Sequence, residues 1–140
     1  MPIGVINDTF ESAITWDKFE AFHAAVRSAT EAALMEATGN AGIVSTRFTH
    51  VYPDGPAVYY TFSVKGDPAR LIEQWRHIKT RASDALFAAG GTITHHHAVG
   101  RDHMPWYRAQ RPALFGVALA AAKRALDPAG VMNPGVLVDL

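Results

Sequence analysis

The sequence contains no cysteine, which excludes disulfides, thiolate nucleophiles and cysteine-ligated zinc together. It has no excess of either charge. Thirteen Lys and Arg stand against thirteen Asp and Glu, so nothing draws the chain electrostatically to nucleic acid or to an anionic bilayer. No apolar run approaches the ~20 residues that a membrane span requires. The start, Met1 to Ile6, lacks the basic-then-apolar order of a signal peptide. Also missing are an HExxH motif, a GxGxxG phosphate turn, a lysine-bearing P-loop and a nucleophile-elbow serine. A cytoplasmic protein without a nucleic-acid partner is the expectation. With 49% hydrophobic and 19% charged residues over 140 positions, the composition is globular, and one domain over 1–140 is expected.

What is present reads as alternating strands and helices. Ile3 to Trp16 carries β-favouring residues around Asn7-Asp8 and predicts a strand followed by a connection. Thr15 or Asp17 can cap the next helix. There Phe19, Phe22, Val26, Ala29, Ala33 and Ala37 recur at three- and four-residue steps until Gly39-Asn40. Ile43 to Tyr52 and Ala57 to Lys65 flank Pro53-Asp54-Gly55-Pro56 and predict a β-hairpin. In its second strand Val58, Tyr60, Phe62 and Val64 share one face, and Tyr59, Thr61 and Ser63 the other. Val44 and Phe48 are assigned to the covered face and Arg47 to the open one. Asp67-Pro68 predicts a helix start, Leu71 to Leu86 carry its apolar stripe, and Gly90-Gly91 end it. A short fourth strand is expected at Thr92 to His95, an irregular aromatic segment at Met104 to Tyr107, and a helix from Pro112 to Leu126. The order is that of a ferredoxin-like α+β fold, βαββαβ, with helices on one face of an antiparallel sheet, followed by a C-terminal helix and tail.

Four of the seven histidines fall between His95 and His103. Such a density of groups titrating near neutral pH suits proton transfer and hydrogen bonding to a ligand. Two other readings stay open. On a strand His95 and His97 share a face and, with His103, suit a metal, although Asp102 is the one nearby carboxylate in sequence. Packed or surface histidines are the other. His23 and His77 are expected to face solvent, and the three tryptophans to serve packing.

Thr9 to Asp17, the tyrosine-bearing hairpin, the run Gly91 to Arg101 and the ending Leu126-Asp127-Pro128…Asn133-Pro134-Gly135 together resemble one family. They are similar to the C-terminal, or cap, part of FAD-linked oxidases of the vanillyl-alcohol oxidase type, in particular the alkylglycerone-phosphate synthase branch. Ala98 and Arg101 stand where that branch tends to have glycine and lysine.

The resemblance implies FAD, bound mainly by an N-terminal domain expected to be absent here. It also implies a phosphorylated lipid-precursor substrate whose acyl group is exchanged for a fatty alcohol, the flavin ring serving as partner to the substrate carbon. It implies catalytic roles for Tyr59, His95, His96 and His97, with His96 and Asn133 approaching the cofactor. Arg47 and Arg101 suit the substrate phosphate, because a guanidinium matches phosphate oxygens bidentately. No resident metal is implied. The partners expected are the flavin-binding domain and, through Leu114, Phe115, Leu119, Val131 and Met132, further copies of the chain. An FAD-linked 2-hydroxy-acid or alcohol oxidoreductase is the alternative within the family, and a stand-alone histidine-rich metal-binding module the alternative outside it.

Overall fold

The computed structural model describes residues 4–138, so Ile3 and the other terminal positions lie outside the account. The chain forms two compact units, Met1–His97 and Ala98–Leu140.

The first unit is an α+β sandwich. Its elements are β1 (Val5–Ala13), α1 (Trp16–Thr38), β2 (Ile43–Val51), β3 (Pro56–Lys65) and α2 (Leu71–Ala88). The sheet is antiparallel with order β1-β3-β2. Alternation along β3 works as expected: Val58, Tyr60, Phe62 and Val64 are buried beneath the helices, whereas Tyr59, Thr61 and Ser63 are half-buried on the other face. Ile6 and Phe10 of β1, Phe22, Val26 and Leu34 of α1, and Ile78 and Leu86 of α2 complete the core. Each large apolar side chain fully buried there contributes about 1.5–3 kcal/mol. Phe48 packs edge-on against Trp16 and Phe19 on the helix side, yet remains 44% exposed at the sheet margin.

Several boundaries differ from expectation for identifiable reasons. β1 runs unbroken through Asn7-Asp8, because the Asp8 carboxylate is employed: it accepts from Trp75 Nε1 at 2.8 Å and meets Lys79 Nζ at 3.1 Å. α1 ends at Gly39 in the left-handed conformation, φ 69°. Asp67 accepts from the Ala69 amide and closes a turn, so α2 begins at Leu71 and not at Pro68. His23 is only partly exposed. Its Nδ1 lies 3.1 Å from the Tyr60 hydroxyl and its ring stacks on Phe19 and Tyr60.

Thr92 to His95 does not form a fourth strand among the described residues. The Thr92 amide donates to Ala13 O at 3.1 Å, but side chains then replace the ladder. Thr92 Oγ1 accepts the Ala13 amide and Ser12 Oγ donates to Thr92 O. Gly91 makes this route possible, since a Cβ there would lie 2.4 Å from the Phe22 ring and 2.6 Å from Ser12 Oγ. The segment therefore passes the free edge of β1 from the helix layer and reaches the open face at the histidines.

The second unit contains α3 (Met104–Gln110) and α4 (Ala113–Leu126). The aromatic segment predicted as irregular is thus helical, and Arg111-Pro112 in extended conformation separate the two helices. The carboxylate of Asp127, bonded to Lys123 and to the amides of Val131 and Met132, folds the tail back on the end of α4. Among the described residues no helix is long and apolar enough to cross a membrane.

Candidate active site on the open sheet face

The pairing register lays the open face out in rows across three strands. Thr9, Thr61 and Ser45 form a row of hydroxyls, and Glu11, Tyr59 and Arg47 form the next. In that second row an acid, a phenol and a guanidinium stand side by side. The Arg47 guanidinium lies over the Tyr59 ring, 4.5 Å from its centroid. The His97 ring meets Tyr59 edge-on, centroids 5.3 Å apart. Tyr59, Arg47 and His97, chosen from sequence, therefore share one site.

The next row begins Ala13, Ala57 and His50, and the ladder between β2 and β3 shifts register between Phe48 and His50. A bulge of this kind re-aims side chains. Here it sends the Thr49 hydroxyl onto Glu11 Oε1 and sets His50 against the histidine segment. The His50 ring lies 4.2 Å from that of His96 and 5.8 Å from that of His95, and it stacks on Tyr52 at 5.8 Å.

Glu11 anchors this cluster, and it is the residue that the sequence reading missed. Its side chain is only 2% exposed. The His96 amide donates to its Oε2 at 2.9 Å, and the Nδ1 atoms of His95 and His96 stand 3.9 and 3.8 Å from the same oxygen. Burial works to raise the Glu11 pKa. The Thr49 hydroxyl, the His96 amide and the two imidazoles outweigh it and hold the carboxyl below its ordinary value. Burial, with the neighbouring His96, moves His95 the other way from a charged partner's pull and holds its pKa below that of a free imidazole. The signal for Glu11 was available: in an unbroken β1 with Ile6 and Phe10 inward, position 11 must face outward beside Tyr59.

Of the potential ligand sets among the described residues, Glu11, His50, His95 and His96 bring one ligand atom each to within 4.8 Å of one another. The set first suggested by spacing, His95 with His97 and His103, is not the one assembled. His97 turns to Tyr59, and His103 lies in the second unit with its Nδ1 3.2 Å from Ala98 O. Arg101 and Asn133 also belong to the second unit. The Arg101 guanidinium donates to Pro134 O at 3.0 Å, and Asn133 adopts a left-handed conformation, φ 45°.

The chain matches the family described as FAD linked oxidases, C-terminal domain, over residues 1–137. An alkyldihydroxyacetonephosphate synthase of Caenorhabditis elegans is 30% identical over 139 residues, which is 98% of this chain and 23% of that protein. The enzyme of that name from Trypanosoma brucei brucei is 28% identical over 94% of this chain and 21% of its own length. A solved alkyldihydroxyacetonephosphate synthase structure superposes with a TM-score of 0.64 at 16% identity, covering 94% of this chain and 20% of that one. The last likeness establishes a shared fold. The chain spans less than a quarter of the length of these relatives.

Proposed function

The chain belongs to the FAD-linked oxidase C-terminal domain family, and on that premise we propose that it forms the substrate side of a flavin site of the alkylglycerone-phosphate synthase type. The reaction assigned is exchange of the acyl group of acyl-dihydroxyacetone phosphate for a fatty alcohol. The observation that carries this reading is the row Glu11–Tyr59–Arg47 with His97 against the phenol.

Arg47 and Tyr59 of that row, with the histidine beside them, each suit one need of a ketone phosphate, and Glu11 anchors the histidine segment. Arg47 offers a planar pair of donors to phosphate oxygens. A phenol ionises near pH 10 and so donates a hydrogen bond, at neutral pH, to a carbonyl or leaving oxygen. An imidazole of the triplet takes the proton from the carbon beside the carbonyl. His97 is the one seated next to the phenol, and His95, kept neutral at pH 7 by its lowered pKa, is able to accept a proton. FAD, when bound, would supply an electron-accepting ring for the substrate carbon.

The donor set fits the substrate side of that cofactor better than its pyrophosphate. The sequence has no glycine-rich phosphate turn, whereas His96 is half exposed beside the site. His96 is the residue of this face assigned to approach FAD. A separate flavin-binding domain would hold the rest of the cofactor. The apolar residues of the second unit support such a partner, or a second copy of the chain: Leu114, Phe115, Val131 and Met132 are all more than half exposed, and a concentration of that kind marks an interaction surface.

The experiment is to supply this chain together with a flavin-binding domain and compare two reactions. Incorporation of a labelled fatty alcohol into the ketone phosphate, without net flavin reduction, is the expected result. Bleaching of the flavin by D-lactate or a similar 2-hydroxy acid, with no exchange, would assign the same residues to a dehydrogenase instead.

A further inference from the structure

We propose that the second unit holds a site for a long-chain carboxylate where its tail folds back on the end of α4. Lys123 and Arg124 form the charged end of the site, and Leu119, Val136, Leu137 and Val138 its apolar end. All of these residues belong to that unit. The choice of a carboxylate rests on the proposed exchange, which releases the acyl group as a fatty acid. Binding itself needs no flavin.

Two adjoining cavities are the first support. The larger, of about 580 Å³, is lined by Lys123 and Arg124 on α4 and by Gly130, Pro134 and Gly135 of the tail. The smaller, of about 240 Å³, is lined by Leu119, Val136 and Leu137. Lys123 and Val138 belong to both. A bare phosphate would leave the apolar part unused, and a neutral hydrocarbon would leave the cations unused. An alkyl chain that ends in an anion uses both, since its chain leaves water and its head meets the cations.

Charge is the second support. α4 carries Lys123 and Arg124 and no acidic residue. The Asp127 carboxylate that follows is buried and turned to Lys123 and to the Val131 and Met132 amides. Arg124 is exposed and has no acidic partner among the described residues. A guanidinium in that state can hold a carboxylate through two parallel hydrogen bonds.

The walls are already fixed. The Arg111 guanidinium donates to Leu137 O at 2.7 Å, and the Leu137 amide donates to Met104 Sδ at 3.2 Å. Lys123 Nζ donates to Met132 O, and Arg101 donates to Pro134 O at 3.0 Å. Gly116 lets Arg111 lie across α4, because a Cβ there would stand 2.8 Å from the Arg111 Cζ. Among the described residues, the non-glycine positions with left-handed φ are Asn133 (45°) and Leu137 (65°), and both line the smaller cavity. Backbone strain of this kind persists where its surroundings over-determine it, and it gathers at ligand sites.

Calorimetric titration of the purified chain, without flavin, with dodecanoate, dodecanol, dodecyl phosphate and inorganic phosphate tests the site. The expected result is one equivalent of dodecanoate bound, with dodecanol and inorganic phosphate at least tenfold weaker and dodecyl phosphate no tighter. Arg124→Gln should weaken dodecanoate about tenfold and leave dodecanol unchanged, whereas Leu119→Asn should weaken both. Arg124 is exposed, so its variant reports on the site even if Leu119→Asn perturbs folding. No binding by the folded chain, equal affinity for dodecanoate and dodecanol, or dodecanoate affinity unchanged in Arg124→Gln would overturn the proposal. Tighter binding of dodecyl phosphate would overturn the carboxylate as occupant. Dodecanoate bound as expected by a chain that fails to exchange fatty alcohol with its flavin partner would uphold the site and overturn only the proposed reaction.

Discussion

The Arg47 guanidinium rests 4.5 Å from the centroid of the Tyr59 ring, and the two residues are direct partners on neighbouring strands. Pairing register, and not chain proximity, brings this cation to this phenol. Arg47 itself remains exposed, so its guanidinium is accessible to a ligand.

Arg47→Ala separates the structural from the binding role. An exposed cation–π contact is worth about 0.5–1 kcal/mol, so the loss of stability should not exceed that. Loss of a charge-assisted phosphate contact costs about 1.5–3 kcal/mol, so KM for a phosphorylated substrate should rise tenfold or more, with a smaller change in kcat. Denaturant unfolding of the chain and steady-state kinetics with its flavin partner supply the two readings.

The two adjacent glycines should respond differently to alanine. Gly90 has φ 79° and open space around it, so Gly90→Ala costs only backbone strain, about 1–2 kcal/mol. Gly91 faces Phe22 at 2.4 Å from an added Cβ, and overpacking of that kind costs about 1–3 kcal/mol. Only Gly91→Ala should also displace the histidine segment, visible as altered chemical shifts of the His95 and His96 rings.

Those glycines illustrate how much the sequence disclosed. Their place after α2 was legible from the end of its apolar stripe. The close approach of Gly91 to α1 was not, because it depends on packing between elements distant in sequence. The face of Tyr59 was legible because β3 alternates strictly. Glu11 was hidden because Asn7-Asp8 resembles a turn, whereas the ladder to β3 and the tertiary partners Trp75 and Lys79 keep the strand continuous through Asp8. The fourth strand failed for a related reason. Thr92 and Ser12 hydroxyls satisfy the backbone that a ladder would otherwise pair. The part played by His50 was likewise invisible, since a register shift in β2 decides where its ring goes.

Acid should destabilise the first unit in two stages. The pKa of His95 is lowered on folding, so the unfolded chain binds the extra proton first. Stability is therefore full above about 6.5, the ordinary imidazole value, and falls as pH drops from there toward the folded value. His23, lowered by burial and by Arg27, acts in the same direction. Glu11 is lowered too. Its contribution is present above the ordinary carboxyl range, near 4.3, and is lost as pH falls through the folded value. Urea midpoints measured between pH 8 and pH 3 should show both declines, and Glu11→Gln should reduce the second, to which Asp8, also lowered, contributes as well.

Tyr59 is the residue on which the functional account turns, and deleting one hydroxyl is the most direct test of it. Tyr59→Phe keeps the ring that Arg47 and His97 contact, so the fold should persist. Assembled with a flavin-binding domain, the variant should retain bound FAD while fatty-alcohol exchange falls by about 100-fold or more. Exchange at the wild-type rate with FAD bound would contradict the assignment of this sheet face as the substrate side of the flavin site.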